Sequence, residues 1–454
     1  MPRLAETVRE LAGLVGDGEV HTGQDVLARY RIDEALVEPQ GAPLCVVLAR
    51  SASDVVTAMR WAARHRIPIV PRGAGTGLAG GAGAGAGCAV LSLEAMTAIR
   101  ELSVDDQLVR VEPGVITADL ARTAAEHGLM YPVDPGSASR STLGGNLATN
   151  AGGFRCCKYG ATRDWVLGLD VVLAGGRRLQ TGHRTAKGVS GYDLTGLFVG
   201  SEGTLGVIVE ATLRLRPGRE VPGVTVAAYF RSAVAATRPP LAFARAGLQP
   251  SLLELIDERS LRAATGSQDP GRAALLLAQF DDADAGRMAD EAARLCRDEG
   301  AAEVEVTADP AEAGRLVEIR RRCLSALGGD GRTLVEDFVV PRRRLAEMLA
   351  AIDRIAGQHN VLVGTVVHAG DANLHPTFVF SRDEPQVPER VWAAAEEMFR
   401  TALGLGGTLT GEHGVGLLKK QWLRDELGDD SMDVHHAIKN ALDPLGLMNP
   451  GKVL

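Results

Sequence analysis

The sequence predicts an α+β chain of two packed units followed by a short C-terminal segment. Three observations carry this expectation. The 454 residues exceed what a single hydrophobic core ordinarily serves, so two or three units are expected. Between about residues 40 and 215, strand-like and helix-like runs alternate around tracts rich in glycine. Between about residues 220 and 400, strands alternate instead with helices rich in alanine, arginine and glutamate.

Taken in order, MPRLAETVRELAGLVGDGEV reads as an amphipathic helix, because its acidic residues and missing apolar stretch do not suit a signal peptide. Leu44–Ala49 is a short apolar strand, and Ser51–Asp54 supplies N-cap residues for a helix through about His65. Ile67–Val70 is again strand-like, Thr117–His127 helical, and Leu167–Leu173 a strand ended by Gly175-Gly176. Arg214–Gly223 (RLRPGREVPG) reads as a hinge. Beyond it come strands Val224–Phe230 and Leu275–Phe280, with helices over Ala283–Glu299, Ala311–Leu327 and Arg344–His359. The tail from about residue 405 contains GGTLTGEHGVG.

Bulk properties exclude several classes. A net charge of -8 is wrong for a binder of phosphate backbones, so no nucleic-acid partner is expected. No apolar run is long enough to span a membrane. Six scattered cysteines make no disulfide framework, and Cys156-Cys157 lacks a partner pair at metal spacing. Reduced thiols in a cytoplasmic protein are expected, with any membrane association made through a partner.

Glycine, 54 residues in all, is concentrated in loops that suit a phosphate. PRGAGTGLAGG at Pro71–Gly81 follows a strand directly, and its glycines let consecutive amides turn the same way around an anion. Gly75–Gly80 also matches the GxGxxG dinucleotide pattern, with Glu94 about twenty residues on. That pattern requires a helix to open at the loop, whereas GGAGAGAGCA follows; each interior glycine costs about 1 kcal/mol of helix stability. The Rossmann reading fails. Two further small-residue tracts, DPGSASRSTLGGNLATNAGG at Asp134–Gly153 and GSEGTLGVI at Gly200–Ile208, can hold an elongated cofactor by hydroxyls and amides.

These three tracts together resemble the FAD domain of the vanillyl-alcohol-oxidase/p-cresol-methylhydroxylase (PCMH) superfamily. Within it the chain resembles the branch of glycolate oxidase large subunits, D-lactate dehydrogenases and D-2-hydroxyglutarate dehydrogenases, from about residue 20 to the terminal NPGKVL. The resemblance implies a two-part PCMH-type FAD-binding domain over 1–217. It implies an α/β substrate (cap) domain with an antiparallel sheet over 218–405, and a C-terminal segment, 406–454, that returns to the FAD domain. It implies that Pro71, Arg72, Gly73, Ala74, Gly75, Thr76, Gly77 and Leu78 wrap the pyrophosphate. Pro135, Gly136, Ser137, Thr142, Gly144, Gly145, Asn146, Asn150, Gly152, Glu202, Gly203 and Ile208 would line the rest of the FAD. The first loop offers no His or Cys for a covalent flavin link, so the FAD is expected to be non-covalent.

A second chemical signal is TVVHAGDANLHPTFVF at Thr365–Phe380. Two β-branched runs flank Gly370–Asn373, a turn-forming tetrapeptide, and a hairpin there would bring His368 across from His375. Two facing neutral imidazoles are half of a metal site. Glu412, presented between glycines, completes a His2Glu set that leaves positions open for substrate, with His413 as a base beside it. Zinc, manganese or iron(II) all suit such ligands.

The resemblance matches these residues to the same roles and adds Asn373 as a substrate contact and Arg320 as a carboxylate clamp. It implies a small 2-hydroxy acid as substrate, oxidised to the 2-oxo acid, and an external acceptor: a quinone, a cytochrome or an electron-transfer protein. Where D-2-hydroxyglutarate dehydrogenases carry threonine and lysine for a distal carboxylate, this chain has Leu324 and Val335. Burying that carboxylate without a cation would cost several kcal/mol, so a monocarboxylate such as D-lactate or glycolate is expected. The alternatives are D-2-hydroxyglutarate itself, a metal-free FAD oxidase of alcohols or lactones, and a flavin subunit of a multi-subunit glycolate oxidase. A homodimer or partner subunits fit any of them.

Overall fold

A computed structural model describes residues 2–185, 187–218, 223–329 and 331–454. Two compact units emerge, one of residues 1–151, 161–218 and 412–454, the other of residues 152–160 and 219–411. The central residues of the hinge expected at 214–223, 219–222, lie outside the described residues.

The first unit carries two main sheets. In the smaller, the strands run in the order Glu19–His21, Cys45–Leu48, Ala89–Ser92, Ile69–Arg72; the first pairing is antiparallel and the others parallel. Helix Ala52–His65 links two of the parallel strands, capped by Ser51, whose hydroxyl accepts from the amide of Asp54. Its apolar face meets the sheet in a core that includes Trp61, Met59, Val47 and Leu91. Burying a side chain of that size stabilises by about 1.5–3 kcal/mol. The edge strand begins at Ile69, two residues beyond the expected start, since Pro68 has no amide to give the ladder, and it runs on into Arg72. The C-terminus docks here as well: the amide of Ile69 donates to Leu447 and its carbonyl accepts from Asn449.

The second sheet is antiparallel, in the order Ile99–Ser103, Leu108–Val111, Val207–Arg214, Val166–Val172, Arg178–Gly182. No helix follows the Pro71–Gly81 loop; the chain reaches Ala89 without regular structure, as the run of glycines requires.

The second unit is built on an eight-stranded antiparallel sheet. Its central strands are Ala274–Phe280, Leu252–Ile256, Leu362–His368 and Asn373–Phe380. Helices Ala285–Asp298, Pro310–Gly328 and Leu345–Gln358 cover it. Residues 152–160, which the sequence assigns to the first unit, pack in this one for identifiable reasons. Lys158 pairs with Asp281 and Asp282 at 2.5 and 2.7 Å, and the thiol of Cys157 donates to the Pro250 carbonyl. Phe154 enters the apolar core with Leu252, Ile256 and Cys323. Among the described residues no helix is long and apolar enough to cross a membrane.

Candidate active site

The hairpin forms over Leu362–His368 and Asn373–Phe380, with the turn at residues 369–372. The sequence places the turn one residue later. That difference changes the pairing: His368 stands opposite Asn373 and His375 opposite Val366, so the imidazoles are diagonal neighbours. Diagonal positions share a face and lie within reach of each other. The two rings meet edge to face, with centroids 5.0 Å apart.

His368 is oriented from behind. Its register partner on strand Leu252–Ile256 is Glu254, which is fully buried. Glu254 Oε1 lies 2.5 Å from His368 Nδ1 and Oε2 lies 2.7 Å from Arg320 Nε. A carboxylate accepts, so the proton is on Nδ1 and the ring's lone pair is on Nε2. The edge of Phe154 packs on the same imidazole at 5.7 Å.

The third member of the trio is delivered by the chain before it. Residues Thr408 and Val339 exchange backbone hydrogen bonds, and strand Phe338–Val339 pairs in turn with Leu374 and Asn373. Buried Asp337 then fixes the next turn, accepting from the Thr410 hydroxyl (3.0 Å) and the Gly411 amide (2.6 Å). Gly411 must be glycine: a Cβ would stand 2.4 Å from the Asn373 amide nitrogen. Glu412 follows directly, and one ligand atom from each of His368, His375 and Glu412 lies within 4.8 Å of the others. Two imidazole nitrogens and one carboxylate oxygen at that spacing are a donor set that fits a divalent ion. His413 is the next residue and is half-buried.

Arg320 is not on a solvated face. Of the three consecutive arginines on helix Pro310–Gly328 it alone is buried, 4% exposed, while Arg321 and Arg322 face solvent. Among the described residues its guanidinium hydrogen-bonds only through Nε, to Glu254; its two Nη groups have no acceptor. Leu324, one helical turn on, and Val335 are partly buried aliphatics with no charge to offer.

The glycine tracts converge within the first unit. Gly73 touches Thr142 so closely that a Cβ would stand 2.2 Å from the hydroxyl, and a Cβ on Gly203 would stand 3.1 Å from the Pro71 ring. Thr142 caps helix Leu143–Thr149, which carries Gly144, Gly145 and Asn146, and Asn150 ends it in the left-handed conformation (φ 53°). The amide of Glu202 donates to Ala148 of the same helix, and Ile208 is buried on the strand that follows. Pro135–Ser137 forms a turn bonded to Ala138 and Ser141. Among the described residues none of the amides of Gly73–Leu78 donates a hydrogen bond inside the protein. Six consecutive donors with no partner form an anion cradle, which fits a pyrophosphate. Gly152 belongs to the other unit and is buried there.

Sequence reasoning missed two residues. Glu254 was detectable as the one acid in the apolar strand LLELI. Asp337 gave no signal. The carboxylate of Glu202, a residue expected against the cofactor, accepts from the amides of Val415 (2.8 Å) and Gly416 (2.9 Å), beside the GEHGVG loop. Burial pushes its pKa up to about 7, against the pull of those two amides and of Lys419.

Comparison with known proteins agrees with this architecture. Residues 43–182 match the family described as FAD binding domain, and residues 222–453 match FAD linked oxidases, C-terminal domain. The chain is 40% identical over 429 residues to the glycolate oxidase subunit GlcD of Bacillus subtilis (strain 168), covering 92% of this chain and 91% of that protein. It is 33% identical over 469 residues to a D-lactate dehydrogenase of Anaerostipes hadrus, covering 100% of this chain and 97% of the other. Its fold is similar to that of p-cresol methylhydroxylase, with a TM-score of 0.77 at 18% identity over 100% of this chain and 97% of that one.

Proposed function

The chain belongs to the FAD linked oxidases and is an FAD-binding oxidoreductase; on that premise we propose that it oxidises a small D-2-hydroxy monocarboxylic acid, glycolate or D-lactate, to the 2-oxo acid. The observation that carries this reading is the buried Arg320, whose two Nη groups have no acceptor among the described residues. A guanidinium edge of that kind suits a carboxylate bound bidentately.

The residues divide the work. Arg320 binds the carboxylate, and Asn373, packed against Gly411, contacts the substrate beside the trio. Leu324 and Val335 offer a second carboxylate nothing to replace its water, which selects monocarboxylates. His413 takes the hydroxyl proton. His368, His375 and Glu412 would hold a divalent ion, zinc, manganese or iron(II), which supplies Lewis acidity toward the substrate hydroxyl. The amides of Gly73–Leu78 would hold FAD non-covalently, which when bound would supply the two-electron acceptor for the α-hydrogen. An external acceptor, a quinone, a cytochrome or an electron-transfer protein, would take up the electrons.

The test is anaerobic mixing of the purified yellow protein with D- and L-2-hydroxy acids, followed by flavin bleaching. D-lactate or glycolate should bleach it, and H375A, still yellow, should not respond. Bleaching by D-2-hydroxyglutarate at least as efficient as by D-lactate would overturn the substrate assignment. The relative named as a glycolate oxidase subunit favours a second arrangement, in which this chain works with partner subunits. A dye-reduction assay on the lone chain separates the two.

A further inference from the structure

We propose that Glu254 is a positioning residue that serves both halves of the site, the metal-binding half through His368 and the carboxylate-binding half through Arg320. The inference rests on the functional reading above and adds a residue that neither touches substrate nor offers a ligand atom to the trio. Its two oxygens have different duties: Oε1 accepts from His368 Nδ1 at 2.5 Å, and Oε2 accepts from Arg320 Nε at 2.7 Å. The side chains of Glu254, Arg320 and His368 are 1%, 5% and 8% exposed, so water does not compete for either bond.

The backbone makes the arrangement stiff. Glu254 and His368 are register partners on adjacent antiparallel strands, and Arg320 descends on them from a helix of 19 residues. The first bond fixes the tautomer that carries its lone pair on Nε2, and a carboxylate behind a ligating imidazole also raises its basicity. The second bond takes only the Nε–H, so the planar guanidinium is held with its Nη edge turned away from Glu254. One buried carboxylate therefore sets the direction of a metal ligand and of an anion clamp. A role in packing alone would need only a shape; this one needs two acceptor oxygens.

Glutamine is nearly isosteric and distinguishes the cases. Its carbonyl can accept from His368 or from Arg320, and its amide then faces a donor. Zinc affinity of the flavin-loaded, metal-stripped protein is measured by competition with a chromophoric chelator. Oxalate, an unreactive dicarboxylate chelate, is titrated through the flavin spectrum. E254Q should bind zinc about 10–100-fold more weakly and oxalate more weakly too, with flavin content unchanged. R320M should weaken oxalate but leaves Glu254 to His368, so zinc affinity should not show the loss expected of E254Q. The double variant E254Q/R320M removes the opposing donor, frees the new carbonyl for His368 and should regain zinc affinity relative to E254Q; if E254Q does not fold, the double variant must still bind zinc better than H375A. Should H375A and wild type bind zinc alike, the metal reading fails, and this inference with it. Where H375A is weakened but E254Q matches wild type, or the double variant gains nothing, this inference alone is wrong.

Discussion

Substituting Gly73 by alanine tests the phosphate cradle most directly, because the structure supplies both the injury and its cure. The added Cβ would stand 2.2 Å from the Thr142 hydroxyl, far inside contact distance, while the next neighbours, the Gly145 amide and Thr142 Cβ, are at 3.5 and 3.6 Å. One oxygen atom therefore carries the whole clash. That oxygen also caps helix Leu143–Thr149, accepting from the Gly145 amide at 3.3 Å, so it is not free to swing away. Overpacking of this kind costs about 1–3 kcal/mol. If the strain is relieved by displacing the Gly73–Leu78 amides, it emerges as about a 5–150-fold loss of FAD affinity. T142A alone forfeits the cap, about 1 kcal/mol. The double variant G73A/T142A has no clash left and should fall short of wild type only by that cap, binding FAD more tightly than G73A. The assay is FAD titration of the apoprotein by flavin fluorescence quenching, with melting temperatures alongside. The reasoning is refuted if G73A binds FAD like wild type, or if the double variant is no better than G73A.

Other expectations follow from buried carboxylates. E202A leaves the amides of Val415 and Gly416 without their acceptor, at about 1–3 kcal/mol each, and should lower the melting temperature more than E202Q, which keeps one acceptor oxygen; equal melting of E202A and wild type would contradict the clamp. Asp257 caps helix Glu258–Thr265 and accepts from the Ser260 and Thr365 amides, and burial raises its pKa from 3.8 to about 6. The folded protein thus holds that proton more tightly than the unfolded chain, so this group's contribution falls as pH rises from about 4 to 6, by on the order of 3 kcal/mol. D257N retains a cap and should lack that slope, so urea unfolding of the two proteins at pH 4 and pH 7 should diverge by this amount.

Much of the architecture was legible because it depends on local chemistry. Pro68 and the glycines of 73–87 dictate where a strand begins and that no helix follows it, whatever the rest of the chain does. The register of the 362–380 hairpin was not legible to the residue, since alanine at 369 and 372 carries no turn signal and Ala372 nevertheless takes a positive φ of 56°. The assignment of residues 152–160 to the second unit rests on Lys158 meeting two aspartates more than 120 residues away, a pairing that no local pattern encodes.

The sequence by itself determined which chemistry was available: amides bare enough for a phosphate, two histidines on one hairpin, and a glutamate and a histidine between glycines. These follow from residue type and short spacing, and short spacing survives into the fold because strands and turns are local. Tertiary structure decided how the groups are aimed. Whether Arg320 faced water or a buried carboxylate, and which nitrogen of His368 kept its lone pair, depended on Glu254 arriving from a strand more than 60 residues before one and 110 before the other. Burial removes water as the alternative partner, and only the assembled sheet and helix create that burial.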